Sequence, residues 1–358
     1  MTASASSRGA VIGDRYVVRG PLGSGSCGEV YEVWDRRLHH VAALKLLPQI
    51  SPVTAWRESA ILTQLRGEFV LPVWNAGLDQ GVPFIVSDLA VNGTLADQIK
   101  TRAGVPVSSA AKWVQQACRG ISRVHDLRLL HNDIKPANIF LGSNGEALVG
   151  DFGLACEVDA NGNGRYGGTV TTMAPEVAHV GSTVPAGNRI HHRPTSVASD
   201  VFSLGATLYE LIAGVPWFVP SGDRSADFHT AARGEPPRLI DVAPHCPPGL
   251  ARIVEQAMAR VPSDRFATPA AFDAAIGGRA RTSRQWVRQS PHPGHTDCYV
   301  SKRLHHATIL VCAVPTGTAT RHVVEIWRGS PPRRVKPWPE SSRSSLPRTL
   351  RTVFRRYS

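Results

Sequence analysis

The stretch His131-Asn132-Asp133-Ile134-Lys135-Pro136-Ala137-Asn138-Ile139-Phe140 decides the reading of this chain, taken together with Asp151-Phe152-Gly153 shortly after it. A carboxylate, an ammonium and an amide stand two and then three residues apart at Asp133, Lys135 and Asn138. The apolar run Ala147-Leu148-Val149 then carries the chain to a second carboxylate, Asp151. These groups are equipment for handling a metal-bound phosphate. Asp133 can accept a hydroxyl proton, and Lys135 can neutralise charge on a transferring phosphoryl group. Asn138 and Asp151 offer oxygen ligands to magnesium.

The pattern resembles the protein-kinase superfamily, whose signature is a catalytic-loop aspartate with an asparagine five positions on, followed by DFG. Lysine at Asp plus two resembles the serine/threonine branch, and the whole is most like its bacterial, eukaryotic-like members. The resemblance implies a bilobed α+β fold with a β-rich N-lobe and a helical C-lobe. It also implies ATP and Mg2+, with serine and threonine hydroxyls of proteins as acceptors.

Working outward toward the amino terminus, Tyr16-Val17-Val18 and Val30 to Trp34 read as strands flanking the glycine stretch Leu22 to Val30. Glycines let backbone N–H groups approach phosphate oxygens with no side chain in the way. Alone, this GxGxxG fits a plain hairpin turn as well, and a dinucleotide fingerprint needs a helix straight afterwards, where this chain continues as a strand. After the polar turn Arg36 to His40, Val41-Ala42-Ala43-Leu44-Lys45 is similar to the kinase third strand with its phosphate-pairing lysine.

Within the resemblance, Gly23, Gly25 and Gly28 cover the phosphates. Lys45 pairs with Glu58, on a helix that starts at Ser51-Pro52 and sets Glu58, Leu62 and Leu65 on one face. Leu22, Val30, Ala43 and Phe140 wall the adenine ring. Pro83 to Leu95 is similar to the fifth strand and hinge, so that the Asp88 carbonyl and the Ala90 amide address adenine and Ser87 holds the gatekeeper position. Cys27 stands where a lid aromatic often caps the phosphates, and reads as a small inert residue in preference to a reactive thiol.

Downstream, Ala110 to Leu130 has helical periodicity and leads into the catalytic loop, with Trp113 read as core. Gly168 to Glu176 is similar to the close of an activation segment, with Thr169 beside Asp133 as the hydroxyl that suits serine/threonine substrates. Asp200 resembles the buried aspartate that anchors the catalytic-loop backbone, and Arg265 the arginine that pairs with Glu176. Between Glu176 and Asp200 the chain carries an insertion of about ten residues, read as a surface loop. Ala270 to Ile276 closes the domain.

Two departures point one way. Asn132 replaces the arginine of HRD, and no serine or threonine lies between Gly153 and Thr169. A phosphorylated loop residue held by that arginine is a common activating clamp, and both halves of it are missing. The expectation is activity independent of activation-loop Ser/Thr phosphorylation. The alternative is a catalytically silent nucleotide-binding scaffold, to which Asn132, Cys27, the short Lys45 to Glu58 span and the bare segment also lend themselves. Against it, every residue that touches metal or transferring phosphate is present.

The chain divides into a disordered leader at 1–12, a kinase domain at 13–277 (N-lobe 13–87, hinge and C-lobe 88–277) and a basic tail at 278–358. The net charge of +12 on 358 residues belongs to the tail, where Arg279 to Ser358 holds sixteen basic residues and three acidic ones. Three readings of it stay open. Composition argues first for a largely disordered, solvated segment. The second is a tether to an anionic partner, nucleic acid or lipid surface, with Trp286, Trp327 and Trp338 stacking or sitting at an interface. The third is a small fold in which Ala307 to Val314 and His322 to Trp327 are paired strands.

The six cysteines show no CxxC pair, and the adjacent histidine pairs have no second cluster at metal spacing, so a zinc site is rejected and a reducing compartment is expected. No apolar run approaches the roughly 20 residues of a spanning helix, and there is no signal-peptide core. The expectation is a cytoplasmic, soluble protein.

Overall fold

Strict alternation of buried and half-exposed residues builds the first sheet. In β4 (His40–Leu46) the side chains of Ala42, Leu44 and Leu46 enter a core shared with Ile12, Tyr16, Val18, Tyr31, Val33, Phe84 and Val86, which leaves Ala43 and Lys45 on the opposite face. The structure is a computed structural model, and it describes residues 7–25, 28–48, 65, 67–100, 104–183, 193–280, 284–303, 306–336 and 338–357. Cys27, the Ser51-Pro52 helix start with Glu58 and Leu62, and most of the expected insertion lie outside the described residues.

β1 (Val11–Ile12), β2 (Tyr16–Gly25), β3 (Gly28–Asp35), β4, β5 (Val73–Asp79) and β6 (Val82–Asp88) form one antiparallel sheet in the order β1-β2-β3-β4-β6-β5. A bidentate pair from Arg15 to Asp35, at 2.8 and 2.7 Å, fastens the open end of the β2–β3 hairpin.

The helical lobe follows. α1 (Leu95–Lys100) leads to α2 (Val107–Asp126), which buries Val107, Ala110, Ala111, Val114, Ala117, Cys118, Ile121 and Val124, the three-and-four spacing of one helical face. Four short strands then frame the catalytic loop: β7 (Leu129–Leu130) pairs with β10 (Cys156–Glu157), and β8 (Ile139–Leu141) pairs with β9 (Ala147–Val149). The rest of the lobe is α3 (Pro175–Thr183), α4 (Val197–Ala213), α5 (Arg224–Arg233), α6 (Leu239–Val242), α7 (Pro248–Ala257) and α8 (Pro269–Ile276). α4 is apolar nearly all round, with Val201, Phe202, Leu204, Leu208, Leu211 and Ile212 buried, so it is the central helix of this lobe.

The tail corrects the expectation of disorder. Its described residues form a sheet of β11 (Gln285–Gln289), β12 (Asp297–Arg303), β13 (His306–Thr316), β14 (Thr318–Arg328) and β15 (Arg333–Arg334) in sequence order, with β16 (Glu340–Ser342) pairing β14 and α9 (Leu346–Tyr357) packed on it. The physical reason is apolar area that bulk composition hides. Tyr299, Ile309, Val311, Ala313, Val324 and Ile326 line the covered face, and Leu346, Leu350, Val353 and Phe354 repeat at helical spacing against them. Trp286 lies in this core, 4.7 Å from the Phe354 ring, while Trp327 and Trp338 sandwich the Arg334 guanidinium at 5.3 and 4.5 Å. The tryptophans are therefore engaged within the fold.

This unit docks on the helical lobe. Arg351 donates to Ile240 O at 3.0 Å and to Asp241 at 3.2 Å, Arg288 reaches Ala213 O at 3.3 Å, and the His245 ring packs 5.4 Å from Tyr299. His245 is buried with both ring nitrogens unpartnered. Burial, helped by the nearby Arg288 charge, pushes its pKa down to about 3. A folded-state value below the unfolded one means that stability is full above about 6.5 and is lost as pH falls from there toward 3. His245→Leu is expected to flatten the acid side of the stability profile by about 1.4 kcal/mol per pH unit in that window, read from denaturant melts of both proteins. Parallel profiles for the two proteins would contradict this.

Among the described residues no helix is long and apolar enough to cross a membrane.

Candidate active site

The loop between β7 and β8 is held from beneath by a single buried carboxylate. Asp200, in the first turn of α4, accepts from the backbone N–H groups of His131 and Asn132, each at 3.0 Å, and from His125 Nε2 at 2.8 Å. Burial alone would raise this carboxyl, but the hydrogen bonds and charge of His125 with the neighbouring His131 hold it below its ordinary value. His131 Nε2 meets Gly150 O at 3.0 Å and its ring lies 5.1 Å from Phe152, which ties the loop to the DFG turn.

On this platform the expected groups converge. Asp133 Oδ1 accepts from Thr169 Oγ1 at 2.6 Å, and Asp133 Oδ2 meets Lys135 Nζ at 2.9 Å and Asn138 Nδ2 at 2.9 Å. Lys135 Nζ also donates to Thr169 Oγ1 at 2.7 Å, so one hydroxyl bridges the carboxylate and the ammonium. Desolvation pushes the Asp133 carboxyl up, yet the Lys135 charge and the Thr169 hydrogen bond outweigh it and keep the group ionised.

Asn138 spends its amide nitrogen on Asp133, through both the side chain and the carbonyl, which leaves its amide oxygen as the atom to offer. The Asn138 backbone carbonyl accepts from Gly150 N at 3.0 Å, bringing it against Asp151. Asp151 adopts φ 56°, ψ 70°, and its Oδ1 accepts from Lys45 Nζ. Lys45 thus reaches across from the sheet lobe to the helical lobe. Its expected partner Glu58 lies outside the described residues. Asn138 is buried and Asp151 part-buried, and an amide oxygen with a carboxylate oxygen is a donor set that fits a hard divalent cation such as Mg2+ rather than a soft one.

The strand register explains the rest of the cleft. Val30 pairs with Lys45 and Ala43 with Ser87, so Val30, Ala43, Lys45 and Ser87 share the face turned away from the sheet's core. Leu22 is exposed on β2, and Phe140 bridges Thr94 beneath the hinge. At the hinge, Trp74 Nε1 holds the Asp88 side chain at 2.6 Å, Asp88 N donates to Pro72 O at 3.1 Å, and Ala90 O accepts from Gly93 N at 3.2 Å. The Ser87 hydroxyl lies 3.3 Å from Asp88 O.

Gly23 and Gly25 lie along β2, opposite Val30 and Gly28. Gly28 has φ 139° and a Cβ there would meet Leu46 O at 1.8 Å, so no other residue fits at this point of the hairpin.

The sequence motifs did not foretell what Asn132 does. It sits at φ 65°, a left-handed conformation that asparagine tolerates, and its Nδ2 lies 3.1 Å from Leu154 O, 3.2 Å from Cys156 Sγ and 3.4 Å from Arg165 O. Neutral contacts to the activation segment thus occupy the place of a phosphate clamp. Thr195 Oγ1 adds a bond to Arg165 O at 2.9 Å, and Arg193 to Glu157 O at 2.7 Å. Farther along, Arg265 forms a bidentate pair with Glu176 at 2.8 and 2.7 Å, as expected.

A sheet lobe and a helical lobe that meet at this constellation define the two-lobed phosphotransferases. The chain belongs to the protein kinase family, whose domain matches residues 16–275. It is 28% identical over 310 residues to the serine/threonine-protein kinase PknL of Mycobacterium tuberculosis, covering 84% of this chain and 74% of that protein. It is 30% identical over 277 residues to the serine/threonine-protein kinase PknB of Mycolicibacterium smegmatis, covering 72% and 42%. An Aurora kinase of Yarrowia lipolytica is 25% identical over 259 residues, covering 71% and 66%.

Proposed function

We propose that this protein transfers the γ-phosphoryl group of ATP to serine and threonine hydroxyls of proteins, and that it does so without activation-segment phosphorylation. The observation that carries the first part is the Thr169 hydroxyl, 2.6 Å from Asp133 and 2.7 Å from Lys135. It marks a point where a part-buried hydroxyl is held between a proton acceptor and a cation, the arrangement an attacking Ser or Thr needs. Asp133 orients that hydroxyl and takes its proton, while Lys135 offsets charge building on the transferred group. Lys45 addresses the nucleotide phosphates under the backbone of Gly23, Gly25 and Gly28, the Asp88 carbonyl and Ala90 amide face adenine, and Leu22, Val30, Ala43 and Phe140 enclose it. Asn138 and Asp151 hold Mg2+, which when bound neutralises phosphate charge.

Asn132 supports the second part, because its amide already reaches Leu154 O and Arg165 O from an uncharged residue. Thr172 is buried, and Thr171 O accepts from Trp217 Nε1 at 2.8 Å, so the segment before Pro175 is pinned from within. Phosphatase-treated protein and the Thr171→Val variant are expected to keep close to wild-type turnover, whereas Asn132→Leu loses most of it. A large gain traced to phosphate on Thr171 or Thr172 would refute the reading.

The test of the function itself is incubation of the full chain with Mg-ATP beside Asp133→Asn, with phosphate mapped by peptide mass. Phosphoserine or phosphothreonine in the wild type alone supports a kinase. ATP binding with no phosphate transfer and no magnesium-dependent ATP consumption would mean a scaffold instead. A nucleic-acid or lipid partner for the tail finds less support, since Arg288, Arg321 and Arg351 are paired with Asp297, Glu340 and Asp241.

A further inference from the structure

A second group of metal-ligating side chains lies in the C-terminal unit, away from the cleft. His292, His295, Cys298 and Cys312 bring one ligand atom each to within 4.8 Å of one another. Cys298 and Cys312 are direct cross-strand partners of β12 and β13. Side chains alternate along a strand, so they sit on the face opposite Tyr299 and Val311, turned away from α9. On that outer face they are nonetheless buried, 0% and 1% exposed. The β11–β12 connection, which carries both histidines, folds over them.

Local chemistry fixes that connection. In His292-Pro293-Gly294-His295 the His295 N–H donates to His292 O at 3.0 Å and Gly294 has φ 81°, the pattern of a Pro-Gly turn. Thr296 then donates from N and Oγ1 to Ala313 O at 2.9 and 3.1 Å, clamping the loop beside Cys312. The result aims two imidazoles at two thiols. His292 Nδ1 is 3.2 Å from Cys298 Sγ and 3.5 Å from Cys312 Sγ, and His295 Nδ1 is 3.5 Å from Cys298 Sγ. Tetrahedral zinc, with bonds of about 2.3 Å to sulfur and about 2.0 Å to nitrogen, sets neighbouring S and N ligands about 3.5 Å apart. The His292 N–H, 3.5 Å from Cys298 Sγ, adds the donor that commonly supports a metal thiolate.

We propose that His292, His295, Cys298 and Cys312 form a closed, tetrahedral Zn2+ site. Binding releases the two thiol protons to solvent, and the two thiolates balance the charge of the ion. Sulfur and imidazole ligands in this number select zinc over magnesium, so the site is chemically separate from Asn138 and Asp151. All four positions are filled by protein, which makes the role structural: the ion fastens the β11–β12 loop to the sheet of a unit with a small core. The proposal runs against the expectation of no zinc site. The ligands follow an H-x2-H-x2-C order with the last cysteine on the next strand, a spacing that a search for CxxC or adjacent histidine pairs passes over.

The test is elemental analysis of untagged full-length protein purified from zinc-replete medium under reducing conditions and dialysed, followed by exchange with Co2+. One zinc per chain is expected, along with the visible bands of tetrahedral cobalt and a thiolate-to-cobalt charge-transfer band. Cys312→Ser should lose both. Because His292 is exposed, His292→Ala leaves the core untouched, and it should likewise release zinc and shift the cobalt spectrum while the near-ultraviolet circular dichroism of the unit persists. Asp151→Asn should retain zinc in full. Zinc-free wild-type protein, or zinc content unchanged by both Cys312→Ser and His292→Ala, overturns the proposal.

Discussion

Asp133→Asn is expected to lower phosphoryl transfer by about 100- to 10,000-fold while leaving the melting transition and ATP binding close to wild type. The amide is isosteric, and its oxygen can still accept from Thr169 or Asn138, both of which contact Asp133. What disappears is the negative charge that faces Lys135 at 2.9 Å and the ability to take a proton. Single-turnover kinetics with Mg-ATP and a protein acceptor separate the two readouts. Transfer at the wild-type rate would remove Asp133 from its role, and a collapse of the fold would make its role architectural.

Asp200→Ala should have the largest effect on stability, about 3–5 kcal/mol, and should silence the enzyme as well. Three donors lose their acceptor at once in a fully buried place: His125 Nε2 and the N–H groups of His131 and Asn132. Each stranded donor costs about 1–3 kcal/mol where it stays unpaired. In a domain of this size that corresponds to a fall in melting temperature on the order of 10 °C. Calorimetry of the variant is the check, and an unchanged melt would mean that the loop is held by other contacts.

Much of the kinase domain was legible in the sequence because its motifs are tied to backbone geometry. The spacing from Asp133 to Asn138 is one turn of loop, which the structure closes with the Asn138 amide on the Asp133 carbonyl. Asp200 and the Glu176–Arg265 pair were legible for a similar reason, since Asp200 and Arg265 are buried charges with dedicated partners. The contacts of Asn132 were not legible, because its three neighbours are two backbone carbonyls and a thiol whose positions only the folded segment defines.

The C-terminal unit escaped composition for two reasons. Both faces of β13 are apolar, with Ile309, Val311 and Ala313 toward α9 and Leu310, Cys312 and Val314 away from it, so the strand shows only as the apolar run Ala307 to Val314, read as one of three alternatives and here paired with β14. Its arginines, meanwhile, count as charge in a sum although several are stacked or paired. The zinc quartet depends on the register that sets Cys298 opposite Cys312 on the next strand, and that register is decided by the pairing of the two strands, not by any local spacing motif.

The central helix α4 meets both regions. Near its start Asp200 grips the catalytic loop, and its last residue, Ala213, offers a carbonyl to Arg288 of the C-terminal unit. Seventeen residues span about 25 Å, so a single hydrogen-bonded rod runs from the chemistry to the appended sheet. Fraying at its far end shortens the rod that presents Asp200. The exchange rates of the His131 and Asn132 amide hydrogens, which terminate on that carboxylate, therefore serve as a gauge of how firmly the C-terminal unit is seated.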